Sequence, residues 1–413
     1  MIKVVSKYWI IIIANLLFYS CSAQNSEKIT GNSVELELEQ EADIVCGAEL
    51  LLGSTKELKA KKIAVMVNPS SLVGEKHLVD ALLEADLDLV KIFAPEHGFR
   101  GLADAGEKVE NELDTKTGLA IVSLYGKHKK PSAEDLKGID LVIFDLQDVG
   151  VRFYTYISSL HYIMEACAEQ GVNVMVLDRP NPNGNRVDGN ILNMNFSSFV
   201  GMHPVPILHG MTIGEYALMI NGEHWLANGV QCNLEVIACQ NYDHNRFYSL
   251  PVRPSPNLSS DLAIQLYPST CFFEGTVISE GRGTDFPFQV FGAPNIDPKM
   301  TTFSFVPKSK EGAKYPKFEN QKCFGFNLAE GQNSFSEVKG INLEYLITMY
   351  NLYPNQDKFF LENGFFDLLA GGTKLREDIV SGMSAEQIKQ TWEEELLEFK
   401  AKRKKYLLYT DFE

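Results

Sequence analysis

Short apolar runs alternate with polar or amphipathic segments through the first half of the chain. Each run is rich in isoleucine, leucine and valine and ends in turn-forming or charged residues, which is typical of a buried strand. Residues 74–85 and 157–170 carry apolar side chains at helical spacing instead. The predicted strands cover residues 62–67, 87–94, 119–124, 139–144 and 172–177. This alternation predicts an α/β fold, a Rossmann-like parallel sheet with helices on both faces.

The pattern is less regular beyond residue 184. Thr212, followed by Glu215, has the spacing of a capping box, which predicts the start of a helix. From about residue 298, strands and turns mix with two late helices. We therefore predict a Rossmann-like catalytic domain over residues 46–297 and a smaller C-terminal α+β domain over residues 298–413. Further predicted elements are strands at 231–238, 271–276 and 322–327 and helices at 259–265, 343–352 and 385–404.

The N-terminus has the pattern of a signal peptide. Two lysines precede an apolar stretch, residues 9–19, that is too short to span a bilayer comfortably, and small residues follow it. Acylation of Cys21, as in a bacterial lipoprotein, and cleavage after Ala23 are both compatible with this pattern, and we favour the lipoprotein. In either case we expect a polar leader over residues 24–45. The protein is expected to be exported, either periplasmic or anchored to a bacterial membrane.

Composition and missing motifs exclude several classes of function. The formal net charge of −16 over 413 residues is opposite to what nucleic-acid binding requires. No G-x-G-x-x-G or Walker sequence follows a predicted strand, so no nucleotide cofactor is expected. The absence of H-E-x-x-H, C-x-x-C and G-x-S-x-G sequences argues against a metal site, a redox site and Ser255 as a nucleophile. Buried free thiols are expected, although a Cys232–Cys239 disulfide is conceivable in an exported protein.

Polar side chains follow the apolar runs where these end. The run at 139–144 is followed by two carboxylates, an amide and a guanidinium, which are costly to bury unless something polar binds them. Parallel strands share their carboxyl edge, where α/β proteins bind ligands, so these side chains are expected to lie together. An Asp–Arg pair that caps the next helix is the alternative. The candidates are Asn68, Glu96, His97, Tyr125, Asp145, Gln147, Asp148, Arg152, Tyr154, Asp178 and Arg179.

Glu96 is the strongest candidate for a catalytic acid. It follows an apolar segment and precedes a His-Gly turn, so its carboxyl group is expected to be partly removed from water. Partial desolvation favours the protonated form of a carboxylic acid, which suits a general acid. The alternative is a glutamate that caps a helix or pairs with Arg100. His97 and His209 are candidates for orienting a substrate, although either is also compatible with a core histidine bonded to a carbonyl.

A second group of charged residues lies in and beside the loop at 279–288. Glu280 and Arg282 alternate with glycines, which let the backbone approach a ligand closely, and Glu274 precedes a further glycine. A glycine-rich turn between two elements is the plainer explanation. Without a cofactor motif or an activated nucleophile, acid–base chemistry by carboxylates remains. Glycoside hydrolysis is the reaction class that uses paired carboxylates without a cofactor.

Long motifs along the chain resemble those of the bacterial exo-β-N-acetylmuramidase family, long known only as a domain of unknown function. In order, they are FAPEHGFRG, DLQDVGVRFYTY, VLDRPNPNG, HGMTIGE, PSPN and EGTVISEGRGTDFPF. The resemblance extends from about Cys46 to the C-terminus. It implies a Rossmann-like catalytic domain with a smaller C-terminal domain. It also implies removal of N-acetylmuramic acid (MurNAc) from the non-reducing ends of peptidoglycan fragments.

The resemblance further implies that Glu96, in the P-E-H-G motif, is the catalytic acid. The reaction course stays open among direct inversion, a covalent enzyme intermediate and attack by the substrate's own acetamido group. The alternatives to an exo-muramidase are a non-catalytic protein that binds sugars or muropeptides, and a cell-wall amidase or esterase. The candidates for the partner carboxylate are Asp145, Asp148, Glu274 and Glu280.

MurNAc carries a lactyl carboxylate, which an acidic protein must bind with local cations. Arginine is suited to this because its guanidinium donates paired hydrogen bonds to a carboxylate. Tyr125, Tyr154 and Tyr156 are expected to line the sugar platform. The arginines that fall in the motif loops are Arg100, Arg152, Arg179 and Arg282.

Overall fold

The structure is a computed structural model that describes residues 42–96, 98–100, 112–330 and 339–413. The predicted signal segment, Cys21 and His97 lie outside the described residues. Asp43–Glu413 form one compact unit, and the domain boundary predicted after residue 297 stays a prediction. Within the described part of the chain, no helix combines the length and the apolar character that crossing a bilayer requires.

A parallel central sheet confirms the predicted architecture. The described strands are β1 (Lys62–Val67), β2 (Leu72–Val73), β3 (Lys76–His77), β4 (Asp88–Ala94), β5 (Glu112–Leu113), β6 (Ala120–Ser123), β7 (Leu141–Asp145), β8 (Asn173–Leu177), β9 (Leu234–Ile237), β10 (Val290–Ala293), β11 (Phe303–Phe305) and β12 (Cys323–Asn327). The central sheet has the order β5-β6-β4-β1-β7-β8-β9, and only the edge strand β5 is antiparallel to its neighbour. The five predicted strands of the first half are therefore present, and β9 adds a sixth parallel strand.

Helices cover both faces of the sheet because successive side chains of a strand point to opposite sides. The described helices are α1 (Gly47–Leu52), α2 (Leu78–Glu84), α3 (Tyr156–Gln170), α4 (Ile213–Gly222), α5 (Asp261–Thr270), α6 (Glu344–Leu352), α7 (Phe365–Ala370), α8 (Lys374–Val380), α9 (Ala385–Gln390) and α10 (Glu393–Arg403). Ile63 and Val65 of β1 pack in a core with α1 and α2. Ala64 and Met66 of the same strand pack in a second core with α3 and α4.

Several local predictions are tested by the structure. The capping box of α4 is confirmed, because the side chains of Thr212 and Glu215 each accept from the other's backbone N–H. The predicted strand at 271–276 is wrong, since Cys271–Gly275 form a 3₁₀ helix that packs against α7. The predicted helix at 385–404 is divided into α9 and α10, with the buried Trp392 at the break.

A smaller antiparallel sheet, of order β10-β12-β11, lies in the C-terminal part, as the predicted α+β character requires. The chain then returns to the main sheet. Arg403 of α10 is buried, and its guanidinium donates to the Gly210 carbonyl at 2.8 and 3.0 Å. The cysteines of the described chain are free and buried, so the conceivable Cys232–Cys239 disulfide is not formed.

Candidate active site

A cavity of about 460 Å³ lies at the carboxyl edge of the parallel sheet. Most of its lining comes from residues that follow β4, β6 and β7 and from residues between Ser255 and Phe288. This is the edge at which α/β folds bind their ligands. The lining residues are Glu96, Tyr125, Gly126, Lys129, Phe153, Tyr154, Thr155, Tyr156, Phe199, Val200, Ser255, Leu258, Tyr267, Glu274, Arg282, Phe288 and Phe365.

Glu96 lines this cavity, two residues beyond the end of β4. The Tyr125 hydroxyl, from the loop after β6, donates to its Oε1 at 3.0 Å. The Thr155 hydroxyl, just before α3, donates to its Oε2 at 3.4 Å. The side chain is half-buried, so two neighbouring loops fix the carboxyl group while it still faces the cavity.

Glu274 and Arg282 also line the cavity. Arg282 Nε donates to Glu274 Oε1 at 3.0 Å, and its Nη2 contacts the same oxygen. Behind them, the buried Glu280 lies 3.5 Å from Arg282 and accepts from Lys317 Nζ at 3.0 Å. Burial alone would raise the pKa of Glu280, but the Lys317 and Arg282 charges hold it below its usual range. Two carboxylates and two cations therefore balance one another here.

Aromatic rings cover much of the cavity wall. Tyr154 and Tyr156 meet edge to face with ring centroids 4.8 Å apart. Their hydroxyls are already bonded, since Tyr154 donates to the Pro254 carbonyl at 2.6 Å and Tyr156 accepts from Asn68 Nδ2 at 2.7 Å. Burial raises the pKa of both phenols, so they stay neutral. Rings of this kind provide apolar faces for a ligand, with a few polar groups between them to orient it.

A second set of predicted residues lies at the ends of β7 and β8, and none of them lines the cavity. We call this set the strand-end network, and it consists of Asp145, Gln147, Asp148, Asp178 and Arg179. Its central contact is a buried ion pair, in which Arg179 Nε and Nη2 donate to the two oxygens of Asp145 at 2.5 and 2.9 Å. Arg179 also donates to the Leu72 carbonyl at 3.0 Å. These bonds join three segments of the sheet edge.

Asp178 holds the beginning of α4. It accepts from the Thr212 hydroxyl at 2.7 Å and from the Gly214 N–H at 2.8 Å, and the Tyr409 hydroxyl also donates to it. Burial raises the pKa of Asp178 to about 6. Its oxygens are thus bonded within the protein, and its role in the fold is to anchor a helix start.

Asp148 is fully enclosed, and burial raises its pKa to about 7. Its Oδ2 accepts from the Gly150 N–H at 2.7 Å, in a turn where Gly150 has a φ of +74°. Its Oδ1 has no hydrogen-bond partner among the described residues. His209 Nε2 lies 3.8 Å from Oδ2, and burial lowers the pKa of this histidine to about 3, so it is neutral. Gln147 donates to the Asp148 and Pro180 carbonyls, both at 2.8 Å.

Two predicted arginines are used elsewhere in the fold. Arg152 is buried and donates to four carbonyls, those of Asn190, Val205, Leu369 and Ala370, at 2.7 to 3.2 Å. Burial lowers its pKa to about 9. Arg100 pairs with Asp80 at 2.8 Å and with Asp114 at 3.1 Å, beside a different surface depression. Neither guanidinium lines the cavity, and each already donates to oxygens of the protein.

The structure therefore brings together only part of the predicted site. Glu96, Tyr125, Tyr154, Glu274 and Arg282 line the cavity, and Glu280 lies directly behind it. The other described candidates are Asn68, Arg100, Asp145, Gln147, Asp148, Arg152, Asp178, Arg179 and His209, which do not line it. In the described part of the chain, no three His, Cys, Asp or Glu side chains are grouped as metal ligands would be.

Some lining residues carried no signal in the sequence that marked them as functional. Lys129 follows the Tyr125-Gly126 turn in a lysine-rich stretch that resembles an exposed loop. Phe199 and Tyr267 have the character of core residues. Thr155 lies inside a motif, and its contact with Glu96 depends on how α3 begins. Lys317 reaches Glu280 from a region that carries none of the motifs.

Family models match nearly the whole described chain. The model described as exo-beta-N-acetylmuramidase NamZ, N-terminal, matches residues 63–262, and the corresponding C-terminal model matches residues 265–409. A relative from Bacillus subtilis (strain 168), named peptidoglycan beta-N-acetylmuramidase NamZ, is 42% identical over 383 residues. The alignment covers 87% of this chain and 90% of that protein.

Solved structures are similar as well. A crystal structure of a DUF1343 family protein from Bacteroides fragilis is 48% identical, with a TM-score of 0.82, and covers 90% of this chain and 100% of that one. A second DUF1343 family protein from the same organism is 30% identical, with a TM-score of 0.76, over 89% and 99% of the two chains. These matches and the family models confirm the resemblance that the sequence motifs indicated.

Proposed function

Because the chain belongs to the exo-beta-N-acetylmuramidase NamZ family, we propose that it is an exo-acting glycoside hydrolase that releases MurNAc from peptidoglycan fragments. It acts at the non-reducing ends of these fragments, in the turnover and recycling of the cell wall. The observation that carries the proposal is the single cavity that Glu96 and Glu274 both line, among aromatic rings. Paired carboxylates around one sugar-sized space are what glycoside hydrolysis uses.

Glu96 acts as the general acid that protonates the oxygen of the departing sugar. Its support is geometric, because the Tyr125 and Thr155 hydroxyls fix both of its oxygens at the cavity wall. A general acid must lie within hydrogen-bond reach of the atom it protonates. Because Glu96 is already held in position, less entropy is lost in reaching that geometry. His97, the next residue, lies outside the described residues.

Glu274 supplies the second carboxylate. Of the four candidates, it alone lines the cavity; Asp145 and Asp148 lie in the strand-end network, and Glu280 lies behind Arg282. Arg282 holds Glu274 in place, because its Nε donates to Glu274 Oε1 at 3.0 Å. An ionised carboxylate there can activate water, attack the anomeric carbon or polarise the acetamido group of the substrate. The anomer released first, observed by proton NMR, distinguishes inversion from the two retaining routes.

We also propose that the protein is exported and that Cys21 carries a lipid anchor. The support is the basic, apolar and small-residue order of the first residues. The substrate supports the same location, because peptidoglycan lies outside the cytoplasm. Mass spectrometry of the mature N-terminus tests this: an acylated Cys21 is expected, whereas a soluble product beginning at Gln24 would contradict the anchor.

The decisive experiment compares two disaccharides, one with MurNAc and one with GlcNAc at its non-reducing end. We expect the mature protein to release free MurNAc from the first and nothing from the second. Glu96→Gln and Glu274→Gln should each lower kcat by roughly 10²- to 10⁴-fold, the usual contribution of acid–base catalysis. Binding of the disaccharide, measured by calorimetry, should persist in both variants.

Each other outcome contradicts a specific part of the proposal. Binding without release by the wild-type protein would favour a non-catalytic sugar-binding protein. Cleavage of the lactyl or acetamido group, with the glycosidic bond intact, would favour an amidase or esterase. If Glu96→Gln still releases MurNAc, the protein is a glycosidase but its general acid is another residue.

A further inference from the structure

Lys129 is a cation in the cavity whose charge is not matched by a neighbouring carboxylate. It lines the cavity and is half-buried, and its Nζ lies 4.2 Å from the centroid of the Phe199 ring. Among the described residues, no carboxylate lies within ion-pair distance of this ammonium. Such a contact with a ring face stabilises a cation modestly without neutralising its charge.

The other cations at or just behind the cavity wall, and the adjacent Lys130, are matched by carboxylates, which makes Lys129 distinctive among them. The adjacent Lys130 turns away from the cavity and pairs with Glu165 and Glu169, both at 2.7 Å. Arg282 pairs with Glu274, and Lys317 pairs with Glu280 at 3.0 Å. Around Glu274, positive and negative charges therefore cancel.

The remaining charged lining groups are Glu96 and Lys129. Within the described chain, the hydrogen-bond partners of Glu96 are the Tyr125 and Thr155 hydroxyls, and its carboxyl group is not paired with Lys129. A half-buried, unmatched ammonium favours a ligand that brings an anion to it, because a charge removed from water is stabilised mainly by a partner. The cavity is thus suited to a sugar that carries one negative group.

We propose that Lys129, held against Phe199, is the subsite that binds the lactyl carboxylate of MurNAc and so selects MurNAc over GlcNAc. This inference rests on the proposed function. The lactyl group is the chemical difference between the two sugars and carries a single carboxylate. The lysine lies four residues after Tyr125, on the same loop, so the loop that holds Glu96 also presents the cation.

The surroundings of Lys129 hold it in place, unlike a lysine that moves freely on the surface. The Phe199 ring stacks on Tyr162 at 12° between the ring planes, and the Phe199 carbonyl accepts from the Ser158 hydroxyl at 2.7 Å. Tyr162 and Ser158 both belong to α3, so the helix fixes the ring against which Lys129 rests. The four predicted arginines differ from Lys129, because each of them already donates hydrogen bonds to oxygens of the protein.

The test measures kcat/KM on two substrates, the MurNAc-terminated disaccharide and the same disaccharide with its lactyl carboxyl converted to an N-methylamide. Lys129→Met should lower kcat/KM on the acid roughly 10- to 100-fold, mainly through KM, the usual contribution of a hydrogen bond to a charged group. On the neutral amide, Lys129→Met and the wild-type protein should be equal. Lys129→Arg should restore most of the activity on the acid.

Lys127→Met is the matched control, because Lys127 is exposed, lies on the same loop and does not line the cavity. It should behave as the wild-type protein on both substrates. An equal loss on the acid and the amide in Lys129→Met, or no loss on either, would overturn the assignment. If the wild-type protein hydrolyses neither disaccharide, the proposed function fails separately. Calorimetry with MurNAc and its N-methylamide then decides on Lys129, since Lys129→Met must weaken binding of the acid alone.

Discussion

Two groups of carboxylates lie at the same edge of the sheet, and the protein uses them in opposite ways. In the strand-end network, Asp145 and Asp178 direct their oxygens to groups of the protein itself. In the cavity, Glu96 and Glu274 are each held by neighbours but still border open space. A polar residue that follows a buried strand therefore indicates a ligand site only when its partners leave it accessible.

The two groups also differ in what their loss should affect. Removal of one member of a buried ion pair leaves the other charge without a partner in a place that water cannot reach. A half-exposed carboxylate is screened by solvent, so its removal affects stability little. We therefore expect changes in the strand-end network to appear as lost stability and changes at the cavity wall to appear as lost activity.

The largest effect is expected from Asp145→Ala. Among the described residues, this change leaves the Leu72 carbonyl as the remaining hydrogen-bond partner of the buried Arg179 guanidinium. Breaking such a pair costs about 3–5 kcal/mol of folding free energy. Urea and thermal unfolding should show an earlier transition, while the kcat of the molecules that remain folded should equal that of the wild-type protein.

The matched control is the double variant Asp145→Leu with Arg179→Met, which replaces the pair by apolar side chains of similar size. Replacement of both partners of a buried pair is often close to neutral, so this variant should recover most of the lost stability. If Asp145→Ala instead lowers kcat as much as Glu96→Gln does and leaves unfolding unchanged, Asp145 takes part in catalysis. The proposed difference between the two groups of carboxylates would then be wrong.

A smaller effect, dependent on pH, is expected from Asp148. Because burial raises its pKa from 3.8 to about 7, the folded chain retains a proton that the unfolded chain has already lost. Asp148 therefore destabilises the folded state progressively as pH rises through this interval. Asp148→Asn cannot titrate, so its stability relative to the wild-type protein should improve by roughly 2–4 kcal/mol between about pH 4 and pH 8.

Urea unfolding of both proteins at a series of pH values measures this difference directly. Comparison with the variant removes the contribution of the buried histidines, such as His209, whose lowered pKa has the opposite effect on stability as pH rises. The amide retains an acceptor for the Gly150 N–H, so the turn should be preserved. A stability difference that is constant over this pH interval would show that Asp148 is ionised in the folded protein.

Much of the fold was predictable because its signals are local. Each parallel strand is a short apolar run buried on both faces, and the start of α4 is encoded by Thr212 and Glu215. The segment 271–276 was misassigned because a short apolar run fits a strand and a buried helical turn equally well. The contact that decides between them is with α7, almost 100 residues later.

For the site, the sequence predicts which edge of the sheet carries it but not which of the candidate residues line the cavity. The sequence places Glu96 after β4 and Asp145 and Asp148 at the end of β7, but which of them faces open space depends on distant partners. Arg152 shows the difficulty, since the carbonyls that surround it belong to residues 190, 205 and 369–370. Its motif resembles a ligand-binding sequence, whereas its contacts hold the C-terminal part against the sheet.

The smallest effect, and the sharpest test of the cavity side, is expected from Tyr125→Phe. This change removes the hydroxyl that donates to Glu96 Oε1 and leaves the ring in place. A typical hydrogen bond contributes about 1 kcal/mol, so kcat should fall by roughly 3- to 10-fold while the unfolding midpoint stays near that of the wild-type protein. Kinetics on the MurNAc-terminated disaccharide, with Glu96→Gln measured alongside, provide the comparison.

The size of the Tyr125→Phe effect decides what the tyrosine does. A small loss fits a residue that positions Glu96, because the Thr155 hydroxyl still contacts the other oxygen of that carboxyl group. A loss as large as that of Glu96→Gln would mean that the phenol itself transfers the proton. A loss of stability with kcat unchanged would instead place Tyr125 with the strand-end network, as a residue that supports the fold next to the cavity without taking part in its chemistry.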